Sequence, residues 1–155
     1  MKKTFIVGAL CLSLASLTAC GNTSEKSSTE PKQEAKKKKK ETKVTVDSLI
    51  TEFKNAGLQA ENPTDLPQKE FGNMRKEGKR ILVPSLGEDN GGRLFEFSKK
   101  EDLEKAKLYY DELGKSGPML FSHTYAKGNL LLQMNGEMKD EEFAKYKDVM
   151  DKLVK

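Results

Sequence analysis

The stretch Lys99–Leu113, KKEDLEKAKLYYDEL, returns as a pattern forty residues later in Lys139–Leu153, KDEEFAKYKDVMDKL. Lys99, Glu101, Lys105, Lys107, Asp111 and Leu113 align with Lys139, Glu141, Lys145, Lys147, Asp151 and Leu153. The apolar positions Leu103, Ala106, Tyr110, Leu113 and Phe143, Tyr146, Met150, Leu153 share the spacing i, i+3, i+7, i+10. That spacing lays one stripe along an α-helix. Ser98 with Glu101 has the form of a capping box and Leu113-Gly114 that of a stop, so the first of these helices is predicted to span 99–113.

Working outward, each helix follows two apolar runs with strand character. Ile81–Leu86 and Arg93–Phe97 flank Gly87-Glu88-Asp89-Asn90-Gly91-Gly92, whose glycines read as serving a hairpin turn. Met119–Ala126 and Asn129–Asn135 flank Lys127-Gly128. Before the first unit, Val46, Leu49, Ile50, Phe53 and Ala56 make another helical stripe, with Thr45 as N-cap, Asp47 in the first turn and Gly57 as the stop. Residues 58–79 read as irregular, with a short helix at Thr64–Glu70. The expected fold is α+β: an N-terminal helix plus two strand-strand-helix repeats, a four-stranded antiparallel sheet packed on helices that cover one face. Several strands are apolar on both sides, so the face left open is predicted to be a contact patch.

The chain has 155 residues and a formal charge of +4, unevenly placed. Residues 21–43 hold eight Lys and four Glu, whereas residues 44–155 hold 18 Lys and Arg against 20 Asp and Glu. The mildly acidic folded part argues against nucleic acid as a partner, because phosphate binding needs clustered cations on the folded surface. Both cysteines, Cys11 and Cys20, fall in the first twenty residues, which leaves the rest without a disulfide or a thiol nucleophile.

Met1-Lys2-Lys3-Thr4 is a short basic segment, followed by the uncharged run Phe5–Leu17 of 13 residues. A bilayer core of about 30 Å needs roughly 20 apolar residues, so this run reads as a signal peptide rather than a permanent span. Its ending, Leu17-Thr18-Ala19-Cys20, resembles the lipobox of bacterial lipoproteins. The resemblance implies that residues 1–19 are removed and that Cys20 carries a covalent diacylglyceryl group, with no other cofactor expected. Two acyl chains attach a protein firmly to a membrane. The expected location is the cell membrane, lipid-anchored, on its extracytoplasmic face. Residues 20–43 then form the anchor cysteine and a Lys-rich tether without a large apolar side chain, about 25 Å in root-mean-square span, and residues 44–155 form the single folded domain.

A second resemblance lies in the folded part. Phe53-Lys54-Asn55-Ala56-Gly57-Leu58, the segment from Pro84 to Arg93 and the segment from Lys127 to Gly136 are similar to those of small, largely uncharacterised lipoproteins of Gram-positive bacteria, some labelled "stress protein". It implies surface placement and names no reaction.

His123 is the only histidine, and on a strand it would share a face with Phe121 and Tyr125. His123 and Tyr125 are therefore the candidate ligand contacts, set against the plainer reading of a histidine buried among aromatics. The Gly-rich loop matches neither a phosphate loop nor a dinucleotide fingerprint. Glu88, Asp89 and Asn90 offer calcium-type oxygens without the alternating acids of a calcium loop. The acidic pairs Glu101-Asp102, Asp111-Glu112 and Glu141-Glu142 sit among lysines on helix faces, where solvated charges are expected rather than a glycosidase pair. No catalytic or metal residue is predicted. The expected function is a non-enzymatic binding or interaction module at the envelope, with an envelope protein as its partner; a small-ligand binding or sensing lipoprotein is the alternative, and a cell-wall enzyme ranks third.

Overall fold

The structure is a computed structural model and describes residues 43–155. The predicted signal peptide, Cys20 and the tether up to Thr42 lie outside the described residues. The elements in chain order are α1 (Val46–Asn55), β1 (Glu61–Asp65), β2 (Arg75–Leu82), β3 (Gly91–Phe97), α2 (Lys100–Lys115), β4 (Ser122–Lys127), β5 (Leu130–Asn135) and α3 (Asp140–Leu153). Among the described residues the fold is α+β, with three helices and one antiparallel sheet of five strands in the order β1-β2-β3-β5-β4.

Each helix forms where its apolar stripe meets the sheet. Thr45 caps α1 through a reciprocal box in which its side chain accepts from the Ser48 amide and Ser48 Oγ accepts from the Thr45 amide. Val46, Leu49, Ile50 and Phe53 are buried, while Ala56, expected in the stripe, is exposed at the C-cap. In α2 the buried positions are Leu103, Ala106 and Tyr110, and in α3 they are Phe143, Tyr146 and Met150. The capping box expected at Ser98 is absent, because α2 starts from Lys99 without a side-chain cap. The helix also runs through Gly114 to Lys115 instead of stopping there.

The four-stranded expectation is corrected to five. Residues 61–65, partly assigned to a short helix, pair with β2 as an edge strand, Asp65 opposite Lys79 and Glu61 opposite Leu82. The strand predicted at 81–86 begins earlier and ends at Leu82, and Pro84–Leu86 is a single 3-10 turn. Met119 and Leu120, expected to begin a strand, lie instead in a second 3-10 turn, Pro118–Leu120. The β4–β5 turn falls at Gly128, whose φ of 58° is the left-handed conformation that favours glycine.

Strand alternation separates two faces. Ile81, Leu94, Leu130, Leu132 and Met134 join the core of α1 and α3, whereas Phe95, Phe97 and Leu131 join that of α2. Helices thus lie on both faces, a correction to the two-layer expectation: with apolar side chains on either side of β3 and β5, one helical layer would leave half of them in water. The sequence repeat sets element order but not side, since α2 follows β3 after two residues and α3 follows β5 after four.

Candidate binding cleft

The two faces are covered unequally. α2 lies over Phe95, Phe97 and Leu131, and beyond it the same face stays open as a cleft of about 1040 Å³. Its floor comes from neighbouring strands: Arg80 of β2, Gly91 to Arg93 of β3, Gln133 and Asn135 of β5 and Ser122 of β4. One wall is the turn Lys69-Glu70-Phe71 before β2. The other is the end of α2 with Tyr109, Tyr110 and Leu113, continued by the turn Pro118 to Phe121.

The polar groups are held in register. Arg93 Nε donates to Glu70 Oε2 at 2.7 Å, and Arg93 Nη1 donates to Gln133 Oε1 at 3.2 Å. Arg80 donates to the carbonyl of Asp89. At one end, Asn135 Nδ2 donates to Asn90 Oδ1 at 3.2 Å, and Asn135 Oδ1 accepts from the Glu137 amide at 2.7 Å. Burial pushes Tyr110 up to about 12, with the nearby Arg93 charge opposing, so its phenol stays protonated through the physiological range.

The apolar rim is unusually open. Met119 is 98% exposed, Tyr109 53%, Phe121 48%, and Leu120 is exposed beside them. On the opposite wall Phe71 has φ of 60°, a left-handed conformation uncommon for so bulky a residue. Edge-on packing against Phe95, Tyr109 and Tyr110, with ring centroids 5.5–5.9 Å apart, holds it there. Arg75 braces the same turn by donating to the carbonyls of Leu66 and Glu70.

The residues singled out from sequence lie elsewhere. His123 and Tyr125 face α3, on the side of the sheet away from the cleft floor, and line no part of the cleft. His123 is buried, its Nε2 2.7 Å from the Met138 carbonyl and its ring stacked on Phe143 at 4.9 Å. Tyr125 donates to Asp151 Oδ1 at 2.6 Å, which raises the phenol and helps to hold Asp151 below the usual carboxylate range. Among the described residues no group of three His, Cys, Asp or Glu is placed to hold a metal ion. The cleft residues themselves were missed, since they are drawn from six separate segments; the one local hint was the apolar run Met119-Leu120-Phe121 directly after Gly117-Pro118.

Two of the three glycines of the loop motif also change role. Gly91 and Gly92 belong to β3, not to a turn. A Cβ on Gly91 would lie 2.0 Å from the Ile81 carbonyl oxygen, and one on Gly92 would lie 2.1 Å from Met134 Sδ. Close strand packing under the cleft demands them. The chain matches no protein-family model, no curated protein and no solved structure.

Proposed function

We propose that the chain is an extracytoplasmic lipoprotein, held to the membrane by a diacylglyceryl thioether on Cys20, whose folded part binds a ligand in the cleft without transforming it. The observation that carries this reading is the open rim of Tyr109, Met119, Leu120 and Phe121 beside an ordered polar floor. Apolar surface of that kind is costly in water and is commonly a recognition site, and concave sites with a few fixed polar groups are where ligands bind. The polar groups support holding rather than turnover: Arg93 and Glu70 neutralise each other, and Tyr110 keeps its proton. The lipobox-like ending at Cys20 supports the anchor, and among the described residues no helix is long and apolar enough to cross a membrane.

The test is made in intact cells, with the protein expressed from its own signal and a photoreactive residue placed at Met119 or, as a control, at Lys152 on α3. The expected result is adducts from position 119 and none from 152, on a protein that has lost residues 1–19, gained the diacylglyceryl mass and stayed with membranes unless Cys20→Ala is introduced. Equal labelling at both positions would remove the cleft from the reading, and a soluble, unprocessed wild type would remove the anchor.

A further inference from the structure

Resting on the cleft as the working surface, we infer that its ligand is a neutral oligosaccharide. The charge of the lining is the first reason. Lys69, Arg80 and Arg93 are matched by Glu70, Asp89 and Glu137. A phosphorylated or otherwise anionic ligand is recognised by a surplus of cations, and an ammonium ligand by a surplus of carboxylates or an aromatic cage. This lining is balanced and suits an uncharged ligand.

The second reason is how apolar and polar groups are arranged. A pyranose presents C–H groups on one face and hydroxyls around its edge, so it needs a flat apolar surface beside polar groups, not an enclosed apolar pocket. Tyr109 and Phe121, each about half exposed, supply ring surface at the rim. On the floor, the Gln133 Nε2 donor and the second hydrogen and lone pair of the Asn135 amide remain beyond their bonds to Arg93, Asn90 and Glu137, and each sugar hydroxyl both donates and accepts. Arg93 and Glu137 add pure donors and a pure acceptor.

Size and backbone chemistry narrow the choice. A cleft of about 1040 Å³ lies at the upper end of the roughly 300–1,000 Å³ usual for small-molecule sites, which favours several linked sugar units over one. An extended peptide is the main competitor, and it gains its affinity by adding to a free strand edge. The floor here is a sheet face whose central strands β3 and β5 are paired on both sides. The edge strand β4 contributes only its first residue, Ser122, so a peptide in the cleft would find little free strand edge to extend.

The mature lipoprotein, in a detergent without a sugar head group, is titrated calorimetrically with chitohexaose, cellohexaose and maltohexaose, each to about 10 mM. The expected result is saturable binding of at least one. Tyr109→Ala and Phe121→Ala should each weaken it about tenfold, near 1.4 kcal/mol. Tyr109→Phe, which keeps the ring, should recover most of what Tyr109→Ala loses, and Tyr125→Phe on the other face should leave binding unchanged, with circular dichroism confirming that every variant is folded. Absence of heat from all three sugars, with adducts still formed at position 119, overturns the saccharide assignment and leaves the cleft reading intact. A polypeptide as the cross-linked species, sugar binding indifferent to both ring deletions, or a dimer dissolved by Phe121→Ala would also overturn it. Loss of adducts and heat together removes both readings.

Discussion

Arg93 on the central strand and Glu70 on the neighbouring wall meet at 2.7 Å, fastening the turn before β2 to the sheet beneath it. Both side chains keep some exposure to water, so the expected coupling is modest, about 0.5–1 kcal/mol in a double-mutant cycle of Arg93→Ala and Glu70→Ala followed by urea unfolding. Additive single losses would mean that the pair does not hold the turn. Arg93→Ala should also weaken ligand binding in the cleft.

Gly92→Ala tests the packing under the cleft. Its new Cβ would meet Met134 Sδ at 2.1 Å and the Gln133 carbonyl oxygen at 2.5 Å, and the latter is backbone of the adjacent strand. Overpacking of this kind costs about 1–3 kcal/mol, readable as a lower urea midpoint with an unchanged slope. A variant as stable as the wild type would contradict the tight β3–β5 approach.

Acid should destabilise the domain partly through Glu96, a fully buried carboxylate on β3. Burial pulls its pKa up, but hydrogen bonds from Lys43 and Lys76 outweigh that and hold it below the ordinary 4.5. A carboxyl lowered on folding stabilises fully above its unfolded value, and the contribution disappears as pH falls through the folded value. Melting temperature is therefore expected to be flat above about pH 5 and to drop toward pH 3, with a smaller drop in Glu96→Gln. Some drop should persist in that variant, because Asp65, Asp111 and Asp151 are lowered as well. An acid limb identical in the two proteins would exclude Glu96 as a contributor.

Phe71→Ala should cost about 2–3 kcal/mol, less than a fully buried phenylalanine because the ring is only half-buried. The left-handed backbone strain remains in the alanine variant while the three aromatic contacts that offset it are lost. Amide exchange in residues 67–74 is the direct readout, and it should quicken beyond the change in global stability.

The helices were legible because their stripes are long and periodic, and α1 even displayed its cap at Thr45. β1 was not, for a physical reason. Glu61-Asn62-Pro63-Thr64-Asp65 is an edge strand exposed along nearly its whole length, so no apolar alternation marks it. The polar stretch of β2 from Arg75 to Arg80, all of the strand but its last two residues, hid for a related reason: its apolar character begins only at Ile81. Apolar residues on both sides of the strands were read, and they required two helical layers, but nothing local says which helix takes which side. The cleft was invisible because it exists only after β2, β3, β5 and α2 are assembled. His123 stood out by its rarity, and rarity carries no information about position.

Lys43, the first described residue, reaches Glu96 near the end of β3, on the face opposite the cleft floor and at the other end of the strand from Gly91 and Gly92. Lys43 and Lys76 therefore close over Glu96 behind the sheet, and the charge that secures this end of β3 is spent on the face that the cleft does not use. Changes made there to tune stability should leave the cleft's own lining untouched, so the two properties can be altered separately.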